Sequence, residues 1–225
     1  MLIHGAAINY TDKIRYSCKI ASEAYLALPS SLHLGETERD VARKLRIDLA
    51  KRGADTTPFL PVISGQGGVS QIVCGPSDRM LQEGDVLFID TGSTYDGYFC
   101  DFDRNFAIGK ISNKVQKVYE LLWQATECGI RASVSGATTQ DIWLAMNKTI
   151  EEASIGGNNA GRLGHGVGLQ LTEPPSHMPG DKTILVPNMV ITIEPGVEYL
   201  PGKTLVHEEN IVVTENGPKL LTIRA

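Results

Sequence analysis

Three aspartates are predicted to share one face of a β-hairpin in the segment DTGSTYDGYFCDFDRNF, residues 90–106. The Asp-Gly pair at 96–97, between two strand-like runs, predicts a two-residue turn that places Asp90 opposite Asp103. Because side chains alternate between the two faces of a strand, Asp101 lies on the same face as Asp103. Like charges that face each other across a sheet are destabilising. This face of the hairpin therefore needs a compensating charge.

A second predicted hairpin carries acids at comparable positions. The segment MVITIEPGVEYLPGKTLVHEENIVV, residues 189–213, has turn residues at 201–202 and places Glu194 and Glu208 on its two strands. Four or five acids that converge in one cleft cannot all stay ionised without a counter-charge. Either their pKa values rise or cations bind. Carboxylate oxygens suit hard or borderline divalent ions.

The candidate nitrogen ligand is His165, which lies in the segment GRLGHGVGLQLTEPP. Gly164 and Gly166 flank it and permit the close approach that would let the ring point into a cleft. A glycine-flanked histidine taken alone is more often a loop residue, but the two acidic hairpins favour a ligand. One imidazole among carboxylates brings manganese, iron, cobalt or zinc into consideration.

Other charged residues have simpler interpretations. His207 adjoins Glu208 on a strand, so the two side chains face opposite ways and only one can be a ligand. Arg104 is expected on the face opposite Asp101 for the same reason. Three further acids are predicted to be solvated surface residues: Asp96, Glu209 and Glu215.

Three segments of the first half recur in the same order in the second half. The pairs are KIRYSCKIASEA with KVYELLWQATEC (13–24 and 117–128), GETERDV with GATTQDI (35–41 and 136–142) and DVLFIDTG with MVITIEPG (85–92 and 189–196). The middle pair shares G-x-T-x-x-D, in which Thr begins a turn or caps a helix. Coincidence between ordinary αβ segments is the alternative to a true repeat. A repeat predicts an α+β fold of two pseudo-symmetric halves, with a curved, mainly antiparallel sheet backed by helices and the acids on the concave side.

Length and composition indicate an ordinary globular chain. Its 225 residues are 42% hydrophobic and 21% charged, with a net charge of −5, and can bury a substantial core. No basic cluster predicts nucleic-acid binding, and no apolar run approaches the roughly 20 residues of a membrane helix. The opening residues lack the pattern of a signal peptide. The four cysteines form no C-x-x-C pair, which favours free thiols and a cytoplasmic location.

The order and context of the candidate ligands resemble the methionine aminopeptidase, prolidase and creatinase superfamily, which has the pita-bread fold. The resemblance rests on Asp90, on Asp101 eleven residues later, on G-H-G-x-G-L at 164–169, on Glu194 in I-E-P-G and on Glu208 in H-E-E-N. It covers essentially the whole chain. The segments DGYFCDFDR and ENIVVTENG are most similar to the Xaa-Pro peptidase and creatinase branch.

The resemblance implies a site for two divalent metal ions, which would be Mn, Co, Fe or Zn. Asp101 and Glu208 would bridge both ions, and Asp90, His165 and Glu194 would complete the ligand set. It further implies a metal-bridged water or hydroxide that attacks an amide carbonyl. Glu194 and His165 would be the catalytic residues, and Glu194 is the ligand best placed to pass a proton to the leaving nitrogen.

The resemblance also sets expectations for organisation. Proteins of this branch usually carry another domain before the catalytic one, and this chain begins almost at the first catalytic helix. A single catalytic domain spanning residues 1–225, without the N-terminal domain, is therefore expected. The expected partners are a small peptide or small-molecule substrate and a second copy in a homodimer, without nucleic acid or membrane.

The sequence departs from the family pattern at three places. The segment 64–78 contains no histidine, and Thr172 occupies the position of a second family histidine, although His177 could reach back toward that position. Family imidazoles at these places hold the scissile carbonyl and relay protons. Asp103 stands where the family usually has Thr, and it could add a ligand, tune the bridging water or bind a cationic substrate group.

Three functions therefore stay open. The first is a hydrolase acting on Xaa-Pro dipeptides or on N-terminal Xaa-Pro bonds. The second is a creatinase-like hydrolase or a lyase acting on a small nitrogen or onium metabolite, which the departures favour. The third is a non-catalytic binding module, which the complete set of five ligand positions disfavours.

Overall fold

The structure is a computed structural model that describes residues 9–158 and 161–224. The predicted absence of a signal peptide rests largely on residues 1–8, which lie outside the described residues. The helices are α1 (Tyr10–Ala27), α2 (Glu38–Arg52), α3 (Asn113–Ala132) and α4 (Thr139–Ala153), and a short 3-10 helix (Leu28–Ser31) follows α1. The strands are β1 (Thr56–Phe59), β2 (Val62–Gln66), β3 (Asp85–Tyr95), β4 (Tyr98–Ile108), β5 (His165–Gly166), β6 (Glu173–Ser176), β7 (Val190–Ile193), β8 (Gly196–Leu200), β9 (Lys203–Val206), β10 (Glu209–Val212) and β11 (Lys219–Leu220).

The second helix of each half begins with the same cap. At α2, the Thr37 side chain accepts a hydrogen bond from the Asp40 backbone N–H, while the Asp40 carboxylate accepts one from the Thr37 N–H. At α4, Thr138 and Asp141 form an identical reciprocal pair. Such a capping box satisfies two backbone donors that a helix start leaves free. The repeated G-x-T-x-x-D motif therefore acts as a helix start in both halves, as predicted.

The first hairpin has the register that the sequence predicts. β3 and β4 pair along eleven antiparallel positions that include Asp90 with Asp103 and Tyr95 with Tyr98. Asp96 and Gly97 have φ of 48° and 79°, which is the backbone sign that a tight type I′ turn requires at both central residues. β1 and β2 flank β3 in the same antiparallel sheet.

The second hairpin is interrupted where its acids lie. β7 pairs with β10 and β8 with β9, so the two ends of this hairpin belong to separate sheets. Because Ile193 pairs with Glu209 and Gly196 with Val206, Glu194 and Glu208 face each other at the break. The Glu194 N–H donates to the Leu163 carbonyl instead of to the neighbouring strand. The break therefore brings the loop before His165 against Glu194.

Each pair of helices covers the strands of its own half. Residues of α1 and α2, such as Ile14 and Leu45, pack with Leu87 and Phe102 of the first hairpin in one buried core. Residues of α3 and α4 pack mainly with β7 to β10 in a second core. All paired strands are antiparallel. The α+β architecture of two similar halves, with antiparallel sheets backed by helices, is thus confirmed.

Among the described residues, no helix combines the length and the apolar character needed to cross a membrane.

Candidate metal centre

The predicted ligands come together from both hairpins and from the loop between them. Asp101 of β4, His165 of β5 and Glu208 beside β10 offer ligand atoms that all lie within 4.8 Å of one another. The His165 Nε2 atom lies 3.5 Å from Asp101 Oδ2 and 3.8 Å from Glu194 Oε2. The carboxyl of Asp90 adjoins that of Asp101. Residues from three separate parts of the chain therefore gather around Asp101 and His165.

The carboxylates of this cluster are buried without partners of their own. Five oxygens accept no hydrogen bond from any described group: Asp90 Oδ1, Asp101 Oδ1, both oxygens of Asp103 and Glu208 Oε1. The residues that carry them are between 1% and 9% exposed. Removing an unpaired carboxylate from water costs several kcal/mol. This donor set fits divalent cations, which supply the missing partners and the missing positive charge.

Burial and mutual repulsion hold protons on these acids when no cation is present. Burial, followed by the charge of Glu194, raises the pKa of Asp90 to about 8. Burial also raises the pKa of Glu194 to about 7, against the opposing effect of Arg162. Burial and then neighbouring carboxylates raise the pKa values of Asp101, Asp103 and Glu208 well above the usual range. A bound cation competes directly with these protons.

His165 is fixed in the form that ligates a metal. Its Nδ1–H donates to its neighbour's carbonyl, Gly166 O, at 2.9 Å, so the lone pair is on Nε2, the atom that faces Asp101 and Glu194. Burial lowers the pKa of His165 to about 4, which keeps the ring neutral. Metal-bound histidines commonly use the same device, in which the second ring nitrogen donates to a carbonyl. The predicted close approach is also present, because a Cβ on Gly164 would lie 2.4 Å from the Thr192 carbonyl oxygen.

Two buried side chains tie β4 to β10 beside the cluster. The Asn210 amide oxygen accepts from the Asp101 N–H at 3.0 Å, and its NH₂ group donates to the Asp101 carbonyl. Arg104 donates to the carbonyls of Asp103 at 2.7 Å and Glu208 at 2.8 Å. These bonds fix the backbone at Asp101 and Glu208, the two predicted bridging ligands. Sequence analysis did not identify the positioning role of Asn210 or Arg104.

Glu209 is not the solvated surface acid that was predicted. It is fully buried, and its Oε2 accepts from Arg104 Nη2 at 3.0 Å. The physical reason is strand alternation. With Glu208 directed into the cluster, Glu209 faces the helical layer, where only a buried partner can stabilise its charge. The sequence did contain a signal for this ion pair, because strand alternation predicts Arg104 on the face opposite Asp101.

The remaining polar predictions have mixed outcomes. His207 lies away from the cluster, as alternation predicted, and its Nδ1 is 2.8 Å from the Thr126 hydroxyl oxygen. His177 is fully buried and its Nε2–H donates to the Thr192 carbonyl at 2.9 Å, so it does not replace a histidine at the exposed Thr172. Asp96 and Glu215 are exposed as predicted.

Comparison with known proteins identifies the family. The sequence profile of metallopeptidase family M24 matches residues 12–215. This chain belongs to metallopeptidase family M24. The Xaa-Pro dipeptidase of Pyrococcus furiosus is 34% identical over 211 residues, which are 93% of this chain and 60% of that protein. The chain thus spans about 60% of the length of this curated relative.

Solved structures show the same fold. The X-Pro aminopeptidase from Thermotoga maritima matches with a TM-score of 0.90 and 31% identity, over 96% of this chain and 61% of that chain. A methionine aminopeptidase from Rickettsia prowazekii matches with a TM-score of 0.83 and 21% identity, over 95% of this chain and 97% of that chain. The second likeness supports the fold alone. The superfamily and the pita-bread fold predicted from the sequence are confirmed.

The free energy of unfolding of chelator-treated protein is predicted to fall as pH rises from 6.5 to 8. Acids with raised pKa values, such as Asp90 at about 8 and Glu194 at about 7, hold protons in the folded state that the unfolded chain has already released. Each extra proton that the folded state still holds in this window lowers the free energy of unfolding by about 1.4 kcal/mol per pH unit. The buried histidines contribute little here, because the window lies above their unfolded pKa of about 6.5.

Urea unfolding at both pH values, with and without Mn²⁺, measures this effect. Saturating Mn²⁺ should remove the fall, because bound cations keep the carboxylates ionised. Unfolding free energies of the chelator-treated protein that stay constant or increase toward pH 8 would contradict the prediction.

Proposed function

We propose that this chain is a dinuclear-metal hydrolase that cleaves the bond before proline in Xaa-Pro dipeptides or at the N-terminus of peptides. The observation that carries the proposal is the buried cluster of Asp101, His165 and Glu208, whose carboxylates have oxygens without partners among the described residues. The M24 relationship supports metal-dependent hydrolysis. Relatives named Xaa-Pro dipeptidase and X-Pro aminopeptidase support the substrate class.

The positions of the side chains support the ligand set that the family resemblance implies. Asp101 and Glu208, whose ligand atoms lie within 4.8 Å of each other and of His165, would bridge two ions. Asp90 adjoins Asp101 on the first hairpin, and His165 Nε2 lies 3.5 Å from an Asp101 oxygen and 3.8 Å from a Glu194 oxygen. Two divalent ions, when bound, supply Lewis-acid polarisation of the scissile carbonyl and an acidified water as the nucleophile.

Glu194 has the properties of the group that carries the proton. Its side chain is 21% exposed, compared with 6% for Asp101, so it lies nearest to the entrance of the cluster. A carboxylate in this position can exchange a proton with a bound water or substrate. Glu194 would accept a proton from the attacking water and deliver it to the leaving nitrogen. His165, neutral and fixed by Gly166, would keep the carboxylates of the cluster in place.

A second candidate is a creatinase-like hydrolase or a lyase for a small nitrogen or onium metabolite. The exposed Thr172 offers no imidazole where the family resemblance predicts one, and the segment 64–78 has no histidine either. Peptide-bond cleavage needs proton delivery to a poor leaving group, so these losses weaken amide chemistry more than chemistry on an activated small molecule. The non-catalytic alternative has less support, since all five predicted ligands are present.

Several finer expectations belong to the same proposal. The four cysteines of the described residues are free, which supports a reducing, cytoplasmic environment. Manganese as the preferred ion, a homodimer and a single catalytic domain stay predictions.

Asp101→Asn and Glu208→Gln should each lose metal and activity together, because each removes a proposed bridge. The assay would compare Ala-Pro and Gly-Pro with a panel of small amides and onium compounds, using Mn²⁺-loaded protein of measured metal content. Asp96→Asn is the matched control, since it makes the same change at an exposed position of the same hairpin. Wild-type protein should bind two ions per chain and hydrolyse the Xaa-Pro dipeptides.

The outcomes separate the alternatives. Full activity in Asp101→Asn or Glu208→Gln would refute the ligand assignment. If wild-type protein holds two ions but turns over no Xaa-Pro substrate, the proposed peptide hydrolysis is refuted. Turnover of an onium compound or small amide would then favour the second candidate. Wild-type protein that binds no divalent metal would refute the metal centre itself.

Thr172→His should raise kcat/KM for Ala-Pro at least about tenfold, because a well-placed proton-transfer group contributes about 10²–10⁴-fold. Thr172→Asn is the control, since it adds a polar side chain without an imidazole that titrates near neutral pH. The gain should follow the ionisation of the new imidazole in the pH–rate profile. Equal rates for wild type and both variants would show that the missing histidine does not limit peptide hydrolysis.

A further inference from the structure

Among the described acids of the cluster, Asp103 is the one with both carboxylate oxygens fully buried and without a hydrogen-bond partner. It is 1% exposed, and neither of its carboxylate oxygens accepts a hydrogen bond from a described group. Asp90, Asp101 and Glu208 each have one fully buried oxygen without a hydrogen-bond partner, whereas Asp103 has two. A carboxylate that is both fully buried and wholly unpartnered is unstable unless a proton or a cation joins it.

The adjacent arginine donates no hydrogen bond to this carboxylate. Arg104 donates to the backbone carbonyl of Asp103, and its other described hydrogen bonds go to the Glu208 and Ile223 carbonyls and to Glu209. Its guanidinium is therefore used on the opposite face of β4. Because no donor reaches either carboxylate oxygen from that face, a direct partner for an ionised Asp103 would have to bind on the side of the metal cluster.

Register places Asp103 beside two of the proposed ligands. It pairs directly with Asp90 across the hairpin, and residues that face each other in this way have Cβ atoms about 4.5–5.5 Å apart. It also shares a strand face with Asp101, two residues away. The carboxylates of Asp90, Asp101 and Asp103 thus lie on one face of the first hairpin, next to one another.

We propose that Asp103 is a further ligand of the metal ion held between Asp90 and Asp101. This inference rests on the proposed metal centre and extends it. The ion would have carboxylate oxygens alone as its protein ligands, from Asp90, Asp101, Asp103 and Glu208, while the imidazole of His165 would serve the other ion. Oxygen-rich sites favour hard ions such as Mn²⁺ over Zn²⁺, which binds imidazole well. Asp103 would therefore determine which metal occupies one of the two positions.

The alternative role for Asp103 is to bind a cationic group of the substrate directly. The side chain is almost completely covered, whereas Glu194 at the entrance is 21% exposed in its side chain. A substrate could reach Asp103 only if the side chains that cover it moved. Metal ligation, in contrast, requires no movement of the Asp103 side chain, which already lies beside Asp90 and Asp101.

Titration calorimetry of chelator-treated, full-length protein with Mn²⁺ and with Zn²⁺ tests the proposal. Asp103→Asn keeps the shape of the side chain and removes its charge, and Asp103→Thr is a second variant with a smaller neutral side chain. In both variants, one of the two Mn²⁺ sites should weaken by at least about 10–100-fold, the change seen when supporting groups of a metal site are removed. The second site should keep its affinity, and Zn²⁺ binding should weaken less than Mn²⁺ binding. Asp96→Asn is again the matched control and should bind both ions as wild type does.

Thermal unfolding gives an independent readout. Without metal, Asp103→Asn should melt above wild type, because it removes a buried acid that has no hydrogen-bond partner, yet its rise in Tm on adding Mn²⁺ should be smaller. A structural side chain would change both measurements in the same direction. Two Mn²⁺ sites of wild-type affinity in Asp103→Asn, or weakening in Asp103→Thr alone, would overturn the assignment while leaving the metal centre intact. A wild-type protein that binds no Mn²⁺ would overturn both.

Discussion

The repulsion among five clustered carboxylates, four of them buried, is the constraint on which this site depends. Two antiparallel hairpins direct these acids to one point, where several of their oxygens have no partner among the described residues. Like charges in a region of low dielectric constant cannot coexist without protons or cations. The raised pKa values of Asp90 and Glu194 correspond to protonation. The neutral imidazole of His165 is ready to bind a cation. The fold therefore concentrates negative charge at a place where divalent ions can neutralise it.

Acids that repel one another stay together only if their backbone is held rigidly, and two buried side chains provide hydrogen bonds that do this. Asn210 holds the Asp101 backbone through two hydrogen bonds, and Arg104 joins the Asp103 and Glu208 carbonyls. Both cross-links run between the two halves of the chain, so neither hairpin can move alone. The backbones of the acids are thereby held in place against repulsion that would otherwise separate them. Preorganised ligands of this kind are what metal-dependent catalysis requires.

Sequence reasoning succeeded where the determining interactions are local. The Asp-Gly turn fixed the register of the first hairpin, and G-x-T-x-x-D fixed both capping boxes, because each depends on residues within a few positions. It failed where contacts are distant, since Asn210 meets Asp101 across 109 residues of chain. The break in the second hairpin and the burial of Glu209 also depend on partners that only the folded chain brings together. The candidate ligands themselves were found because their order and flanking motifs, unlike their supports, recur in a recognisable family.

The most direct measurement is anomalous X-ray diffraction, at the manganese absorption edge, from crystals of Mn²⁺-loaded protein. We predict two anomalous peaks about 3.5–4 Å apart, as in other two-metal sites, with Asp101 and Glu208 between them and His165 bound to only one. A single peak, or peaks outside this cluster while its carboxylates remain free of metal, would contradict a dinuclear centre built by the two hairpins.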